Sequence, residues 1–262
     1  LVYHIITNPS HAAAFTFNSD GSFTYEHDGD ESATDSFTYN FEDAVSFSET
    51  VTVTLNITNV NDAPTGADSS VEVVQDAAYT FTAADFTFTD VDPSDSFNGI
   101  QVISLPAKGI LEYNGSAVGV NDMIDDISLL TYLTAIGEYG DSYSSFSFKV
   151  KDNDDEVSAS SYTASINASQ DTDGDGIPDD LDDDDDNDGT PDTEDAFPKD
   201  ASEDTDTDGD GTGDNADDDD DNDGTPDSED AFPKDASEDT DTDGDGTGDN
   251  ADDDDDNDGT PD

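Results

Sequence analysis

Hydrophobic and polar side chains alternate along the first 168 residues of the chain. In the segment AFTFNSDGSFTYEH, Phe15 and Phe17 precede an Asp-Gly pair, and Phe23 and Tyr25 follow it. Alternation on both sides of a short polar turn predicts a β-hairpin. The segments DSFTYNFED and ETVTVTLNITNV continue the two-residue period and are rich in Val, Thr, Tyr and Phe, which favour pleated strands. This part of the chain is therefore predicted to be all-β.

Turn-forming residues divide the all-β part in two. The segment NVNDAPTGADSS interrupts the alternation, and about seven further strand-like segments follow it before residue 169. About seven short strands in roughly 100 residues favour a Greek-key β-sandwich. We therefore predict a β-sandwich over residues 64–169. Residues 1–63 are too few for a complete sandwich, and we interpret them as a partial one whose chain starts within a domain.

From residue 170 the chain changes to an acidic repeat. DTDGDG occurs at residues 171, 206 and 241, and the text between these positions recurs almost unchanged with a period of 35 residues. Residues 171–262 contain 44 acidic residues and two lysines, which is a net charge of −42 out of −66 for the whole chain. Because like charges at this density oppose a compact state, residues 170–262 require either disorder or bound cations.

The repeat places its carboxylates in a fixed spacing, D-x-D-x-D-G-x-x-D-x-x-D, twice in each period. Oxygen ligands at positions 1, 3, 5, 9 and 12, a backbone carbonyl at position 7 and glycine at position 6 are the spacing of a calcium-binding loop. A disordered acidic tail has no reason to keep this register through six copies, the last of which stops at its ninth position. We therefore predict multiple Ca²⁺ ions in place of a hydrophobic core, with folding coupled to binding.

The predicted loops differ from an EF-hand, because position 12 is Asp rather than Glu and no amphipathic helices flank them. In chain order, the predicted ligands of the first three copies are Asp171, Asp173, Asp175, Ile177, Asp179, Asp182; Asp184, Asp186, Asp188, Thr190, Asp192, Asp195; and Asp206, Asp208, Asp210, Thr212, Asp214, Asp217. Those of the last three copies are Asp219, Asp221, Asp223, Thr225, Asp227, Asp230; Asp241, Asp243, Asp245, Thr247, Asp249, Asp252; and Asp254, Asp256, Asp258, Thr260, Asp262.

Two family resemblances accompany these patterns. The acidic repeat, with its DAFPKDASED spacer, resembles thrombospondin type 3 repeats in a bacterial form without cysteine, which implies an irregular array around calcium ions. The segments DGSFTYEHDGDESATDSFTYNFED and VTVTLNITNVNDAPT resemble the tandem cadherin-like (immunoglobulin-like) repeats of large bacterial surface proteins. That resemblance implies calcium between domains, with Asn61, Asp62, Asp90, Asp92, Asp152 and Asp154 as ligands. The alternative interpretation is that these residues are ordinary turn formers.

Composition narrows the function classes further. A strongly negative chain repels nucleic acid and anionic lipid surfaces, and no apolar run approaches the ~20 residues of a membrane span. The chain has no cysteine. The three histidines, His4, His11 and His27, lack the spacing of a zinc motif and are interpreted as surface residues. Since the sequence contains no recognisable catalytic motif, we do not expect an enzyme.

Three functions are compatible with the sequence. The first is a calcium-stiffened stalk or spacer of a large extracellular bacterial surface protein, in contact with calcium, with neighbouring domains and with other copies of itself. The second is a subunit of an extracellular filament, in which a strand from a neighbour completes the partial sandwich. The third is a ligand-binding adhesin, although the sequence does not identify a binding site for it.

Overall fold

The computed structural model describes residues 1–261, so the predicted ligand Asp262 lies outside the described residues. All the strands of the described chain lie between residues 2 and 169, which confirms the all-β prediction. Two one-turn 3-10 helices, Ala83–Asp85 and Ile127–Leu129, accompany them. The strands are β1 (Val2–Thr7), β2 (Ala12–Phe17), β3 (Phe23–His27), β4 (Thr34–Glu42), β5 (Val51–Asn56), β6 (Ser69–Val74), β7 (Tyr79–Thr80), β8 (Ile100–Val102), β9 (Ile110–Tyr113), β10 (Ser116–Ala117), β11 (Met123–Ile124), β12 (Leu130–Leu133), β13 (Gly140–Val150) and β14 (Tyr162–Ser169).

Strands β1–β5 form the first module. One sheet has the order β1-β4-β5, and β2 and β3 form the antiparallel hairpin that the alternation predicts. Phe37 of β4 is completely buried, and its ring lies 4.9 Å from the rings of Phe15 and Phe23 on the hairpin. The hairpin therefore covers the three-stranded sheet through a small aromatic core.

A buried carboxylate in the first module ties strand β4 to the start of the hairpin. Asp35 is 5% exposed and accepts hydrogen bonds from the backbone N–H groups of Ser10 (3.0 Å) and His11 (2.9 Å) and from the Tyr25 hydroxyl (3.2 Å). Burial alone raises the pKa of Asp35, but these hydrogen bonds to the charged form outweigh it and hold the pKa at about 2.

Strands β6–β14 form a larger second module with two sheets. Their orders are β11-β8-β13-β14-β6 and β10-β9-β12-β7, and β14 pairs parallel with β6 while the other pairs are antiparallel. Tyr132 of β12 and Phe146 and Phe148 of β13 are at most 1% exposed. Since β12 and β13 belong to different sheets, these side chains fill the space between the two layers of a β-sandwich.

The third segment, residues 170–261, follows β14 directly and is built from turns. None of the residues described there lies in a strand or helix. The predicted domain limits of 1–63, 64–169 and 170–262 remain a prediction. Within residues 1–261, no helix has the length and apolar character needed to cross a membrane.

Replacing Asp35 with Asn is expected to destabilise the first module by about 2 kcal/mol near neutral pH, because the lowered pKa measures how strongly the fold binds the carboxylate. Since the folded-state pKa is about 2 against an ordinary 3.8, this stabilisation is present above about pH 4 and is lost as the pH falls towards 2. Hydrogen exchange of the β4 amides measures the effect. Glu26→Gln is the control, because it removes one negative charge from an exposed position on β3. Equal hydrogen-exchange rates of the β4 amides in the two variants would contradict the expectation.

Candidate calcium sites

The carboxylates at positions 1, 3 and 5 converge in the repeats of the third segment. In the first copy, one oxygen from each of Asp171, Asp173 and Asp175 lies within 4.8 Å of the others. Equivalent convergence occurs in the second and third copies, at Asp184, Asp186, Asp188 and at Asp206, Asp208, Asp210. Each of these loops therefore brings together three oxygens of the type that hard divalent cations bind.

Backbone N–H groups hold the converging carboxylates in place. Asp171 accepts hydrogen bonds from Gly174 (2.9 Å) and Gly176 (3.2 Å), and Asp173 accepts one from Asp175 (2.9 Å). The same bonds recur in the third and fifth copies. Because a carboxylate has about four acceptor positions, each of these side chains keeps capacity for a cation.

Left-handed backbone conformations at positions 4 and 6 make this curl possible. Gly176 at position 6 has φ = +97°, and an added Cβ would meet nothing within 4 Å, so conformation rather than space selects glycine there. Position 4 has φ = +79° at Gly174 and +57° at Asn187, the equivalent residue of the second copy. The role of glycine at position 6 was predicted from the sequence. The left-handed conformation at position 4 was not predicted, although the alternation of Gly and Asn at that position could have indicated it.

The second and fourth copies contain buried carboxylate oxygens that have no hydrogen-bond partner in the described structure. In the second copy they are Oδ1 of Asp184, Oδ2 of Asp186 and Oδ2 of Asp195, at positions 1, 3 and 12. The equivalent residues of the fourth copy are Asp219, Asp221 and Asp230. Burial, together with the neighbouring carboxylates, raises the pKa of Asp186. Buried anions without a partner cost free energy, which a cation at this point would recover.

The carboxylates at position 9 bind the loop itself. Asp179 accepts hydrogen bonds from the Thr172 N–H (2.8 Å) and hydroxyl (2.9 Å), and it also contacts Lys199, whose Nζ lies 3.4 Å from Asp185 of the next copy. The equivalents in the next period are Thr207, Asp214, Lys234 and Asp220. The lysine of the FPKD spacer thus places a positive charge between the two loops that precede it. This contact was not predicted from the sequence.

Position 12 differs between alternate copies. In the first, third and fifth copies its carboxylate accepts a hydrogen bond from the first residue of the next loop; these carboxylates are Asp182, Asp217 and Asp252. In the second and fourth copies, by contrast, it carries one of the partnerless buried oxygens described above. The structure therefore separates one predicted ligand position into a loop-connecting role and a role in which an oxygen stays free for a cation.

A second group of carboxylates, the linker cluster, lies where the first module meets the second. Its members are Glu31, Asn61, Asp62, Asp90, Asp92, Asp95 and Asp152. One oxygen from each of Asp90, Asp95 and Asp152 lies within 4.8 Å of the others. Asp152 is completely buried, and Oδ2 of Asp90 and of Asp95 is buried without a hydrogen-bond partner in the described structure. The linker cluster therefore has the same unfilled acceptor capacity as the loops.

The structure brings five of the six predicted inter-domain ligands into the linker cluster. The Asn61 amide donates a hydrogen bond to Asp152 (3.0 Å), and the Asp62 N–H donates one to Asp92 (2.7 Å). The sixth, Asp154, is exposed, and its backbone N–H donates a hydrogen bond to Asp152 (2.9 Å). Its carboxylate also lies close enough to the linker cluster to raise the pKa of Asp95.

Two members of the linker cluster were not predicted. Burial and four surrounding carboxylates raise the pKa of Asp95, which lies three residues after the predicted ligand Asp92 and could have been found from that position. Burial and the carboxylate of Asp92 raise the pKa of Glu31. Glu31 belongs to the first module, and no local pattern connects it with a site in the second.

Position 8 is glycine in the third and fifth loops for a steric reason. An added Cβ on Gly213 would lie 2.0 Å from Oε2 of Glu203, and one on Gly248 would lie 2.0 Å from Oε2 of Glu238. Glu203 is 8% exposed and accepts a hydrogen bond from the Asn215 N–H (3.0 Å). The glutamate of the spacer therefore folds over the loop that follows it, and only glycine leaves it the space.

Comparisons with known proteins concern mainly the β-strand part. Residues 1–56 match the model of the bacterial Ig domain family. A search of curated proteins finds no match for the chain. The similarity to that family therefore extends over the first module alone.

Several solved cadherin structures are similar to the chain at low identity. Human mucin-like protocadherin EC1-2 is 16% identical, with a TM-score of 0.39 over 64% of this chain and 84% of that one. Human protocadherin-24 EC1-2 is 12% identical, with a TM-score of 0.41 over 63% and 80%. Drosophila N-cadherin EC1-4 is 15% identical, with a TM-score of 0.39 over 64% and 42%. TM-scores of this size do not establish a shared fold.

Gly213→Ala is expected to destabilise the third segment by about 1–3 kcal/mol, because the new Cβ overlaps the buried Glu203 side chain. Hydrogen exchange of residues 203–217 in the full chain measures the loss. The control is the same change in a Glu203→Ala background, where the shorter side chain leaves room and Gly213→Ala should cost less. Equal costs in the two backgrounds would contradict the steric explanation.

Proposed function

We propose that this chain is a calcium-binding structural segment of an extracellular bacterial surface protein, acting as a stalk or spacer that calcium stiffens. The observation that carries this proposal is the set of partnerless buried oxygens on Asp184, Asp186 and Asp195, repeated in the fourth copy. Carboxylate oxygens that are buried together without hydrogen-bond partners are stabilised by protonation or by a bound cation. At neutral pH the cation is the more favourable of these two.

Calcium suits these loops better than other abundant divalent cations. Ca²⁺ takes six to eight oxygen ligands at about 2.3–2.6 Å in a flexible geometry, whereas Mg²⁺ requires a near-octahedral shell at about 2.0–2.1 Å and retains its waters. The loops supply carboxylates at alternate positions, already oriented by backbone N–H groups. A preorganised, all-oxygen, multiply charged site is the type that the larger ion prefers.

Calcium binding would determine whether the third segment is compact. Its net charge of −42 opposes any compact state, and no strand or helix resists that repulsion within residues 170–261. An ion present at 100 times its dissociation constant stabilises a site by about 2.7 kcal/mol. Extracellular calcium modules have dissociation constants of about 10⁻⁴–10⁻³ M, so the loops would fill outside the cell and stay empty in the cytoplasm.

The linker cluster would act in the same way between the modules. Glu31 of the first module and Asp92 of the second are two carboxylates in close contact, which repel each other unless a cation lies between them. Asp90, Asp95 and Asp152 converge close by, since Asp92 also contributes to the raised pKa of Asp95. A calcium ion bound there would hold the two modules in one orientation and extend the stiffening from the repeats to the β-sandwiches.

A structural role on the cell surface agrees with the other features. The match of residues 1–56 to bacterial Ig domains favours an adhesion-type extracellular protein. The loop carboxylates are also oriented by hydrogen bonds from their own backbone, which suits them to ion binding.

Asp186→Asn combined with Asp221→Asn is expected to weaken calcium binding at two sites by at least about tenfold, because each change removes a charged ligand with a partnerless oxygen. Isothermal titration of the full chain with Ca²⁺ measures this. Asp183→Asn with Asp218→Asn is the control, since it removes the same charge from two exposed positions between loops. Equal affinities in the two variants would show that calcium responds to net charge alone.

Removing calcium is expected to expand the chain, because the third segment would lose most of the positive charge that offsets carboxylate repulsion. Small-angle scattering of the full chain in excess Ca²⁺ and then in chelator measures its radius of gyration and maximum dimension. Mg²⁺ at matched ionic strength separates site binding from general screening. Identical dimensions in calcium and chelator would overturn the stalk proposal.

A further inference from the structure

Two of the three histidines lie at one end of the β2–β3 hairpin. The register pairs His27 with Ala12, and the Asp28 N–H donates a hydrogen bond to the His11 carbonyl oxygen (3.1 Å), so both histidines lie next to the turn that follows β3. His11 Nδ1 contacts Oδ2 of Asp30, and one ligand atom from each of His11, Asp28 and Asp30 lies within 4.8 Å of the others. We refer to His11, His27, Asp28 and Asp30 as the histidine cluster.

The distances in the histidine cluster suit a small tetrahedral ion. His27 Nε2 lies 3.2 Å from Oδ1 of Asp30 and 3.8 Å from Oδ1 of Asp28. A tetrahedral ion with bonds of about 2.0–2.2 Å separates its ligand atoms by roughly 3.3–3.6 Å. Although both carboxylates are near, Nε2 of His27 is buried and has no hydrogen-bond partner among residues 1–261. It is the kind of atom whose missing partner a metal supplies.

The backbone around His11 is rigid. Its N–H donates to the buried Asp35 (2.9 Å), and its carbonyl oxygen accepts hydrogen bonds from the Tyr25 hydroxyl (2.8 Å) and the Asp28 N–H (3.1 Å). The Ser32 hydroxyl lies 3.0 Å from His11 Nδ1 and also donates to Asp30 (3.1 Å). The ligand groups are thus oriented by the fold before any ion arrives, which favours specific binding.

We propose that the histidine cluster is a zinc site. Imidazole nitrogen is a softer ligand than carboxylate oxygen, so two histidines with two aspartates favour Zn²⁺ over the calcium that all-oxygen sites select. The side chains of His11 and Asp30 are 34% and 42% exposed, which leaves the ion a path from solvent. The inference does not depend on the calcium proposal, because it concerns a different module and a different donor set.

Zinc in the histidine cluster would cross-link two segments of the first module. The ion would join the start of β2 to the turn after β3, in a module whose small core centres on Phe37. The same turn borders a cavity of about 210 Å³ against residues 57–62 and continues to Glu31 of the linker cluster. Zinc binding would therefore also order the side of the junction on which Glu31 lies.

The test is a Zn²⁺ titration of the full chain in saturating Ca²⁺, which occupies the acidic loops, at about pH 7.5, where most imidazoles are neutral. Long-range ¹H–¹⁵N spectra of the three imidazole rings are recorded along the titration. The expected result is one zinc ion per chain that shifts the rings of His11 and His27 and leaves His4 unchanged. Equal shifts of all three rings, or no ring shifts, would overturn the proposal.

Variants provide a second measurement. His11→Gln and His27→Gln are each expected to weaken zinc binding by at least about tenfold. His4→Gln is the matched control, because His4 also lies beside one carboxylate, 3.2 Å from Glu42, but outside the cluster. Near-ultraviolet circular dichroism checks that each variant is folded. Unchanged affinity in folded His11→Gln and His27→Gln would mean that zinc binds to carboxylates alone, and the proposal would be wrong.

Discussion

Repulsion among 71 acidic side chains is the constraint on which the rest of this structure depends. The chain reduces that repulsion in a different way in each part. In the first module, hydrogen bonds from backbone and hydroxyl groups stabilise the charge of the buried Asp35. In the second, the buried Lys151 pairs with Asp125 and Asp155. In the third, Lys199 separates paired loops, and the proposed calcium ions complete the compensation.

The proposed dependence on cations is greatest where the hydrophobic core is smallest. The second module has a core shared by two full sheets, and its stability has the usual source in apolar burial. The first module relies on a few aromatic rings around Phe37, and the zinc proposed for its histidine cluster would supplement that core. The third segment consists of turns without a strand or helix among residues 170–261, so the proposed metal binding would be coupled to its folding. The all-oxygen loops would select calcium and the mixed histidine-aspartate cluster would select zinc, because the two metals prefer different ligand atoms.

The sequence alone determined the structural features that depend on contacts between residues close together in the chain. Alternation predicted the β2–β3 hairpin, because side-chain direction reverses at each strand residue. The D-x-D-x-D-G spacing predicted the convergence of Asp171, Asp173 and Asp175, because each carboxylate is oriented by an N–H group two to five residues further along. Because these hydrogen bonds join residues that are close in sequence, they can be recognised from the spacing of residue types.

Only the tertiary structure decided which distant residues share a site. Glu31 meets Asp92 across two modules, Lys199 reaches back to Asp179 and Asp185, and the hairpin brings His11 to Asp28 and Asp30. The folding of the chain creates these proximities, and no spacing along the sequence encodes them. For the same reason position 12 divides into two roles, since burial and the orientation of the next loop decide which carboxylate oxygens remain without a partner.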